Sequence, residues 1–324
     1  MFIYENRASV ILYNILNSFQ KTNKKFLIPL NSCSVVPFTF LKAQINFEFV
    51  DISNSTLCMD EELILDLLSN NSDEYLGVLF IKSFGVNEDF NHFFKKIKEI
   101  DPNFFIIDDR CLSIPNLDFS LNETYADLTL FSTGESKYIE IGGAFAYLQS
   151  TISYQKYKLI YNLSDYTELS KNLNGFVSGE KDFFTYQNSN WLGDETLPYS
   201  VVEEYKEEVQ SQLKRVTLHK DSINKIYTNE LPVDIQYDKK YQVWRFNLNI
   251  DNKDKVLKNI FASNLFAGSH YIPLDKVFTD IVVHRKIYHS NAELLYTKNI
   301  NLFNNFDFSE KMAFDLTKII KKSI

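Results

Sequence analysis

Residues 131–148 read FSTGESKYIEIGGAFAYL and place one lysine, Lys137, and a Gly-Gly pair between two apolar segments typical of β-strands. The whole chain has only nine glycines, so two adjacent ones indicate a backbone requirement such as a tight turn or a close approach. A lysine in such a turn is most often a solvated surface charge. The alternative is a lysine held in a pocket that lowers its pKa, so that its amine can form a Schiff base.

The overall composition is that of an ordinary globular protein. The chain has 324 residues, of which 45% are hydrophobic and 23% charged, and a formal net charge of −8. This length accommodates one large domain and a smaller one. The negative charge argues against general nucleic-acid binding, which needs a basic face. No apolar run approaches the length of a membrane span, and the first ten residues lack a signal-peptide pattern.

The cysteines and histidines narrow the possibilities further. The three cysteines, Cys33, Cys58 and Cys111, show no C-x-x-C spacing, which fits a reducing compartment better than a disulfide framework. Neither they nor the five histidines, at 92, 219, 270, 284 and 289, have the spacing of metal ligands. The sequence therefore predicts a cytoplasmic protein with no metal site, no membrane and no nucleic-acid partner.

The first half of the chain alternates short apolar runs with longer amphipathic segments. Runs apolar almost throughout, as in strands covered on both faces, occur at 26–30, 47–51, 76–81, 104–108, 128–132 and 144–148. Helical periodicity occurs at 7–20, from Asp60 onward, and at 88–100. Strands separated by helices of this length predict βαβ units, and hence an α/β fold with a mostly parallel sheet flanked by helices.

The second half predicts a smaller α+β domain. Residues 150–200 have weak periodicity and suggest an irregular connection, after which Ser200 and Glu203 resemble a capping box that opens a long charged helix. A strand (YQVWRFNLNI), a helical segment at 253–264 and a final amphipathic helix (SEKMAFDLTKIIKK) follow. We therefore expect a large domain over 1–205 and a small C-terminal domain over 206–324.

The strand ends indicate where a ligand would bind. The run at 104–108 leads into Asp108 and Asp109, the run at 128–132 ends in Ser132, and Lys137 follows five residues later. Because ligands bind at the carboxyl ends of the strands in such sheets, an acid, a hydroxyl and an amine would share one edge. Each residue also has an ordinary explanation: Asp109 as the cap of a turn, Ser132 as the end of a strand and Lys137 as a solvated charge. Their joint placement is what favours a site.

This set of groups suits pyridoxal 5′-phosphate (PLP). That cofactor needs a lysine for a Schiff base and a carboxylate at its pyridine nitrogen. It also needs hydroxyls and helix N-terminal amides at its phosphate. Lys137, Asp109 and Ser132 supply the first two and part of the third. The start of the first helix, at Arg7, Ala8 and Ser9, could supply the remaining phosphate donors.

The motifs resemble those of the DegT/DnrJ/EryC1/StrS family of sugar aminotransferases, within the aspartate aminotransferase superfamily. The segments that carry the resemblance are NRASVILYNIL, IPLNSCSVV, FEFVDIS, TLCMD, KSFGVNEDF, FIIDDRCL, DLTLFSTGESKYIEIGG and GSHYIPL, and they span nearly the whole chain. The spacing from Ser132 to Lys137 is the most specific element. The resemblance aligns Asp109 with the pyridine-pairing aspartate, Ser132 with a phosphate ligand and Lys137 with the Schiff-base lysine.

The resemblance implies a fold-type I, PLP-dependent aminotransferase of the EC 2.6.1 class. Its reaction would move an amino group, with glutamate as donor, to a nucleotide-linked keto sugar in surface-polysaccharide or deoxyamino-sugar biosynthesis. A homodimer with the active site at the subunit interface is also implied. Three positions depart from the family pattern. Leu112 replaces a Gln or His, Cys33 replaces the aromatic residue that often stacks on the ring, and Arg110 replaces a small residue.

Two alternatives stay open. One is a PLP-dependent sugar dehydratase of the same family, but that branch characteristically replaces the Schiff-base lysine with histidine, whereas this chain has Lys137. The other is a relative that has lost catalysis and acts as a partner subunit, which the departures at Leu112 and Cys33 favour. The retention of Asp109, Ser132 and Lys137 together favours an active enzyme.

Overall fold

A seven-stranded sheet forms the centre of the computed structural model, which describes residues 1–19, 22–119, 124–149, 152–193, 196–278 and 290–324. The strand order is β1-β7-β6-β5-β4-β2-β3. The strands are β1 (Phe2–Glu5), β2 (Lys25–Pro29), β3 (Asn46–Val50), β4 (Tyr75–Ile81), β5 (Phe105–Asp109), β6 (Leu128–Ser132) and β7 (Ala144–Leu148). Six of these lie within a residue of the predicted runs, and β1 was not predicted.

The sheet is parallel except at β7. That strand pairs antiparallel with both β6 and β1, whereas β2, β3, β4, β5 and β6 form a parallel series. The predicted α/β fold with a mostly parallel sheet is therefore confirmed. The short connection from β6 to β7, which contains Lys137 and the Gly-Gly pair, is what reverses the direction, since parallel neighbours would need a much longer crossover.

Four helices pack against this sheet. They are α1 (Ala8–Leu16), α2 (Val35–Ala43), α3 (Glu61–Asn71) and α4 (Asn91–Ile100). The carboxylate of Asp60 caps α3 by accepting from the amides of Glu62 and Leu63. Helix α2 was not predicted, because β-branched residues and Pro37 weaken its pattern. Pro37 lies in the first turn, where a proline interrupts no helical hydrogen bond.

The region 150–200 contains a helix that the sequence analysis missed. Helix α5 (Leu163–Val177) is capped by Asn162, whose side chain accepts from the Ser164 amide at 3.0 Å. Only Leu169 and Gly175 are buried in it. With so little of its surface buried, the helix needs no continuous apolar stripe, and this explains why its periodicity is weak.

The long charged helix, α6 (Val202–Glu230), connects two cores. Its first half packs Tyr205, Val209 and Val216 against aromatic residues of β1, β6 and β7, and its second half enters a separate core. The predicted capping box is wrong: Val201 is the N-cap, and no side chain caps the helix. The domain boundary at 205/206 falls in the first turn of α6 and stays a prediction.

The second core is built on a three-stranded antiparallel sheet of order β8-β10-β9. Its strands are β8 (Phe246–Asn249), β9 (Ala267–Gly268) and β10 (Asn299–Leu302), accompanied by α7 (Lys253–Ala262), α8 (Asn291–Lys298) and α9 (Glu310–Ser323). Of the strand predicted over YQVWRFNLNI, only the residues Phe246–Asn249 form a strand. None of the helices in the described residues is long and apolar enough to cross a membrane.

Candidate active site

Asp109 and Ser132 lie on the same face of the large sheet. Asp109, the last residue of β5, is in register with Leu130 of β6. Ser132 is two residues beyond Leu130, so the period of two along a strand gives it the same face. Ser132 is in turn paired with Ala144, and Ala144 with Glu5 at the end of β1. This row of residues lies at the carboxyl ends of the parallel strands, and we call it the sheet edge.

The carboxyl group of Asp109 is buried. The Cys111 amide donates to its Oδ1 atom at 2.8 Å, and only 5% of the residue is exposed. Burial raises the pKa of Asp109, while the Cys111 hydrogen bonds and the Lys137 ammonium lower it and partly offset that effect. The two groups that the sequence analysis paired, Asp109 and Lys137, are therefore within electrostatic reach of each other.

Asp108 faces the opposite side of the sheet and has a different partner. The Arg110 Nε atom donates to its Oδ2 atom at 2.6 Å, and Asp108 has no solvent exposure. Arg110 also lies over the ring of Phe119, 4.9 Å from its centroid. This gives Arg110, an unusual residue for the resembled family at this position, a structural reason: it neutralises a buried carboxylate.

The Gly-Gly pair closes the connection that carries Lys137. Gly142 and Gly143 have φ values of 80° and 82°, a region that favours glycine. A Cβ atom on Gly143 would lie 3.0 Å from the ring of Tyr4 and 3.2 Å from that of Tyr205. The Thr133 hydroxyl donates to the Gly142 carbonyl at 2.6 Å. The pair therefore meets both backbone requirements that the sequence suggested, a tight turn and a close approach of the Tyr4 and Tyr205 rings.

Lys137 is partly buried, in the turn that this pair closes. It lines a small cleft together with Lys220, Arg245 and Asn304, among others. The neighbouring backbone is fixed by a residue just before β8, because the Trp244 indole N–H donates to the Ser136 carbonyl at 2.7 Å. The lysine is therefore not a solvated charge on an open loop; it faces a cleft between the two cores.

The start of α1 follows the same sheet edge. Glu5 ends β1 in the row that contains Ser132, and α1 begins at Ala8 with Arg7 as its N-cap. The amides of Ala8 and Ser9 belong to the first turn, where no helical carbonyl is available to them. The Arg7 guanidinium lies 5.2 Å from the centroid of Tyr161 and 5.8 Å from that of Tyr166.

Cys33 and Leu112 occupy different surroundings. Cys33 is a partly buried free thiol just before α2, close enough to Cys111 and Tyr271 to raise the pKa of each, after the larger effect of burial. Leu112 is buried in the main core, and its carbonyl oxygen would be only 2.2 Å from a Cβ atom on Gly85. Cys33 is therefore brought towards the Asp109 region, whereas Leu112 contributes packing.

A second group of residues, from the part of the chain predicted to be a small domain, faces this edge. We call Lys220, Trp244, Arg245, His270 and Tyr271 the small-domain cluster. The rings of Trp244 and Tyr271 are stacked, with an interplanar angle of 7° and centroids 6.3 Å apart. Burial raises the pKa of Tyr271, and Cys33, Arg245 and Asp109 all act on it. Tyr271 therefore lies where the cluster meets the sheet edge.

His270 has a defined tautomer. The Asn301 side-chain oxygen accepts from the His270 amide at 2.8 Å and is 3.1 Å from His270 Nδ1. Because the Asn301 amide nitrogen donates to Asn247, that oxygen can only accept, so Nδ1 carries the proton. Burial and the Arg245 charge lower the pKa of His270 to about 4. The imidazole is therefore neutral at physiological pH.

Lys220 is a buried cation with only neutral partners. Its ammonium donates to the Trp244 carbonyl at 2.8 Å and to the Asn304 side-chain oxygen at 2.7 Å, and 3% of the residue is exposed. Burial lowers the pKa of Lys220 to about 7, with Glu140 opposing and Arg245 reinforcing that shift. Such a shift in a cleft is a common feature of functional sites.

The sequence analysis did not find this cluster. It did not single out Lys220, and it placed Arg245 in the predicted strand YQVWRFNLNI, whereas β8 begins one residue later, at Phe246. The only available signal was the SHYIPL segment, which contains His270 and Tyr271. In the part of the chain that the structure describes, no three His, Cys, Asp or Glu residues could hold a metal ion; His284 and His289 lie outside that part.

Comparisons with known proteins bear on the fold. No family model matches the sequence, and no curated protein matches it significantly. Among solved structures, a DegT/DnrJ/EryC1/StrS aminotransferase from Brucella abortus is 14% identical with a TM-score of 0.68, covering 99% of this chain and 85% of its own. Helicobacter pylori PseC, an aminotransferase of pseudoaminic acid biosynthesis, is 14% identical with a TM-score of 0.69, covering 99% and 86%.

A third structure has a different activity. It is the Escherichia coli GDP-4-keto-6-deoxy-D-mannose-3-dehydratase, solved with bound hydrated PLP, which is 14% identical with a TM-score of 0.62 and covers 98% of this chain and 87% of its own. Aminotransferases and a dehydratase thus share one architecture, and similarity at this level of identity establishes architecture alone. The chain has the fold of the PLP-dependent sugar aminotransferases.

Proposed function

We propose that the protein is a PLP-dependent aminotransferase that moves an amino group from an amino acid, glutamate, to a nucleotide-linked keto sugar. The observation that carries this proposal is the sheet edge itself. Asp109 and Ser132 share one face, the Lys137 ammonium acts on Asp109, and the start of α1 follows the same row. The motif resemblance and the fold of the solved aminotransferases support the same reaction.

The donor set fits PLP. When bound, PLP supplies an electron sink that stabilises negative charge at the carbon bearing the transferred amino group. Asp109 would hold the pyridine nitrogen, and a protonated ring would in turn favour the ionised form of this buried carboxyl group. The Ser132 hydroxyl and the free amides of Ala8 and Ser9 would bind the phosphate, as helix N-termini do. Arg7 adds a positive charge at that end of α1, and Cys33 would lie near the ring.

Lys137 would have two roles. Its Nζ atom would hold the cofactor covalently and, once released by the amino donor, carry a proton between the donor's α-carbon and the cofactor. The turn suits both roles, because the Trp244 indole and the Gly142–Gly143 pair fix the backbone on either side of a side chain that faces the cleft. A lysine at this position favours amino transfer over the dehydratase alternative.

The assembly that we propose is a homodimer with the active site at its subunit interface. Supporting this, α5 and its flanks expose large apolar side chains: Ile160, Leu163 and Phe183 are each about two-thirds exposed, at 67%, 65% and 67%. Apolar exposure of this kind often marks a protein contact. A cytoplasmic location and a role in polysaccharide or deoxyamino-sugar biosynthesis are parts of the same proposal.

An absorbance titration tests the function directly. Adding PLP to the purified protein is expected to give a visible band, which glutamate bleaches. Lys137→Ala should lack the band and the turnover while retaining its thermal unfolding temperature. Lys214→Ala removes an exposed lysine from α6 and should behave as wild type. Turnover retained by Lys137→Ala would contradict the proposal, and a wild-type protein without a band would favour the non-catalytic alternative.

A further inference from the structure

One residue closes the base of residues 133–143, which we call the lysine turn. The amides of Ile141 and Gly142 donate to the Thr133 carbonyl at 3.0 and 2.9 Å. The Thr133 amide donates to the Gly143 carbonyl at 3.0 Å, and the Thr133 hydroxyl lies 2.6 Å from the Gly142 oxygen and 3.0 Å from that of Gly143. Thr133 therefore sets the separation between the two ends of the turn.

The Thr133 hydroxyl is itself held by helix α6. The Tyr205 hydroxyl lies 2.6 Å from it, and both residues are fully buried. A threonine hydroxyl has one proton, and a carbonyl oxygen can only accept. Since Thr133 donates to a glycine carbonyl, it must accept from Tyr205. The Tyr205 hydroxyl is thus the donor that completes the base of the turn, while its ring is held separately by stacking on Tyr4, with the centroids 4.2 Å apart.

The two neighbours of Lys137 are also held from outside the turn. The Tyr138 hydroxyl is 2.9 Å from the hydroxyl of Thr217, which lies on α6 as well. On the other side, Ser136 has a φ of 59°, in the left-handed region that is costly for a residue with a side chain. The Trp244 indole N–H donates to the Ser136 carbonyl at 2.7 Å and helps to hold this conformation. The backbone is therefore fixed on both sides of the lysine.

We propose that Tyr205 and Thr217 are positioning residues for Lys137, so that α6 sets where the amine lies over the sheet edge. Each acts through a residue of the turn, Thr133 for the first and Tyr138 for the second. The proposal rests on the aminotransferase function for the chemistry of the lysine, whereas the contacts that carry it involve no cofactor. An amine that carries a proton between two atoms must reach both at hydrogen-bonding distance. A small displacement should therefore slow the proton transfer more than it weakens binding of the amino donor.

The test is the rate at which glutamate bleaches the visible band of the PLP-loaded protein, measured by stopped flow at a series of glutamate concentrations. Tyr205→Phe keeps the ring that stacks on Tyr4 and removes only the hydroxyl. Its limiting rate should fall about tenfold or more, while the glutamate concentration that gives half of this rate should change by less than about twofold. Thr217→Val removes the second hydroxyl and should change the rate in the same direction, which keeps the test open if Tyr205→Phe does not fold.

The matched control is Tyr227→Phe. Tyr227 lies on the same helix and is equally buried, and its hydroxyl donates to the Phe303 carbonyl at 2.8 Å in the second core. This variant loses a buried hydrogen bond of the same kind in a different core and should keep the wild-type rate. Thr228→Val is the exposed control for Thr217→Val on that helix. Equal limiting rates for Tyr205→Phe and Tyr227→Phe, both unchanged or both slowed, would overturn the positioning role.

Hydrogen exchange without cofactor separates this proposal from the aminotransferase function. The amides of Ile141 and Gly142 donate to Thr133, and their exchange reports whether the base of the turn opens. Tyr205→Phe should speed it about fivefold, the factor that corresponds to one lost hydrogen bond, whereas Tyr227→Phe should leave it unchanged. A wild-type protein that gives no visible band but shows this response removes the aminotransferase proposal and retains the hold of α6 on the turn. Unchanged exchange in Tyr205→Phe would overturn that hold in either case.

Discussion

The end of β5 and the small-domain cluster treat their buried charges in opposite ways. On the face of the sheet opposite to Asp109, the Asp108 carboxylate is paired with Arg110 at 2.6 Å. In the small-domain cluster, Lys220 and Arg245 are buried against aromatic rings and neutral acceptors. Burial lowers the pKa of both, to about 7 for Lys220 and about 10 for Arg245. The Asp108–Arg110 pair neutralises its charge internally, whereas the cluster keeps its basic groups without a carboxylate hydrogen-bonded to them.

Removing the cation of the Asp108–Arg110 pair should have the largest effect. Arg110→Met leaves the fully buried Asp108 carboxylate without the guanidinium that donates to it, and breaking a buried pair in this way costs about 3–5 kcal/mol. Urea unfolding at neutral pH measures the loss. The exposed Arg215→Met should change the unfolding free energy by less than about 0.5 kcal/mol. A comparable small change in Arg110→Met would show that the end of β5 does not depend on pairing.

The Gly-Gly turn tests whether the edge is fixed by its backbone as well as by its charges. Gly143→Ala places a methyl group at a φ of 82° and 3.0 Å from Tyr4, which should cost about 2 kcal/mol. Gly134→Ala is the matched control in the same turn, because the nearest atom to its Cβ is the Ser132 hydroxyl oxygen at 3.6 Å. Equal thermal unfolding temperatures for the two variants would contradict the role given to Gly143.

The same contrast explains how much could be predicted from sequence. The edge was predictable because strand ends are local features: once 104–108 and 128–132 are identified as parallel strands, Asp109 and Ser132 must meet at one edge. The Gly-Gly pair was visible because glycine is rare in this chain. The resemblance to the sugar aminotransferases added the roles of Asp109, Ser132 and Lys137, which remain proposals.

The small-domain cluster was not predictable for a physical reason. Lys220 and Asn304 are 84 residues apart in the chain, and the Arg245 guanidinium likewise lies over the ring of Phe303, which is distant in sequence. In a helix as charged as α6, a lysine on the buried face has no distinguishing pattern. Likewise α5 escaped detection because most of its surface is exposed, and the capping box failed because the helix begins two residues later than Ser200.

The prediction that separates the two regions most clearly concerns a pH slope, which is about 1.4 kcal/mol for each pH unit. The Lys220 pKa is about 7 in the folded protein, below its ordinary value of 10.5. Between these values the unfolded chain binds one more proton than the native state, so wild-type stability should gain about 1.4 kcal/mol per pH unit from this group. Lys220→Met should lack that contribution. Urea unfolding at about pH 7.5, 8.25 and 9, all within this window, would reveal the difference in slope.

The slope isolates the cation better than a single stability value does. Lys220→Met also leaves the Trp244 carbonyl and the Asn304 side-chain oxygen without their donor, and that loss is the same at each pH. Other lysines with lowered pKa, such as Lys82, titrate in both proteins and cancel in the difference. Lys225→Met, an exposed change on the same helix, should retain the wild-type slope. Parallel slopes for all three proteins would mean that Lys220 is solvated or paired, and the cluster would then neutralise its charge as the Asp108–Arg110 pair does.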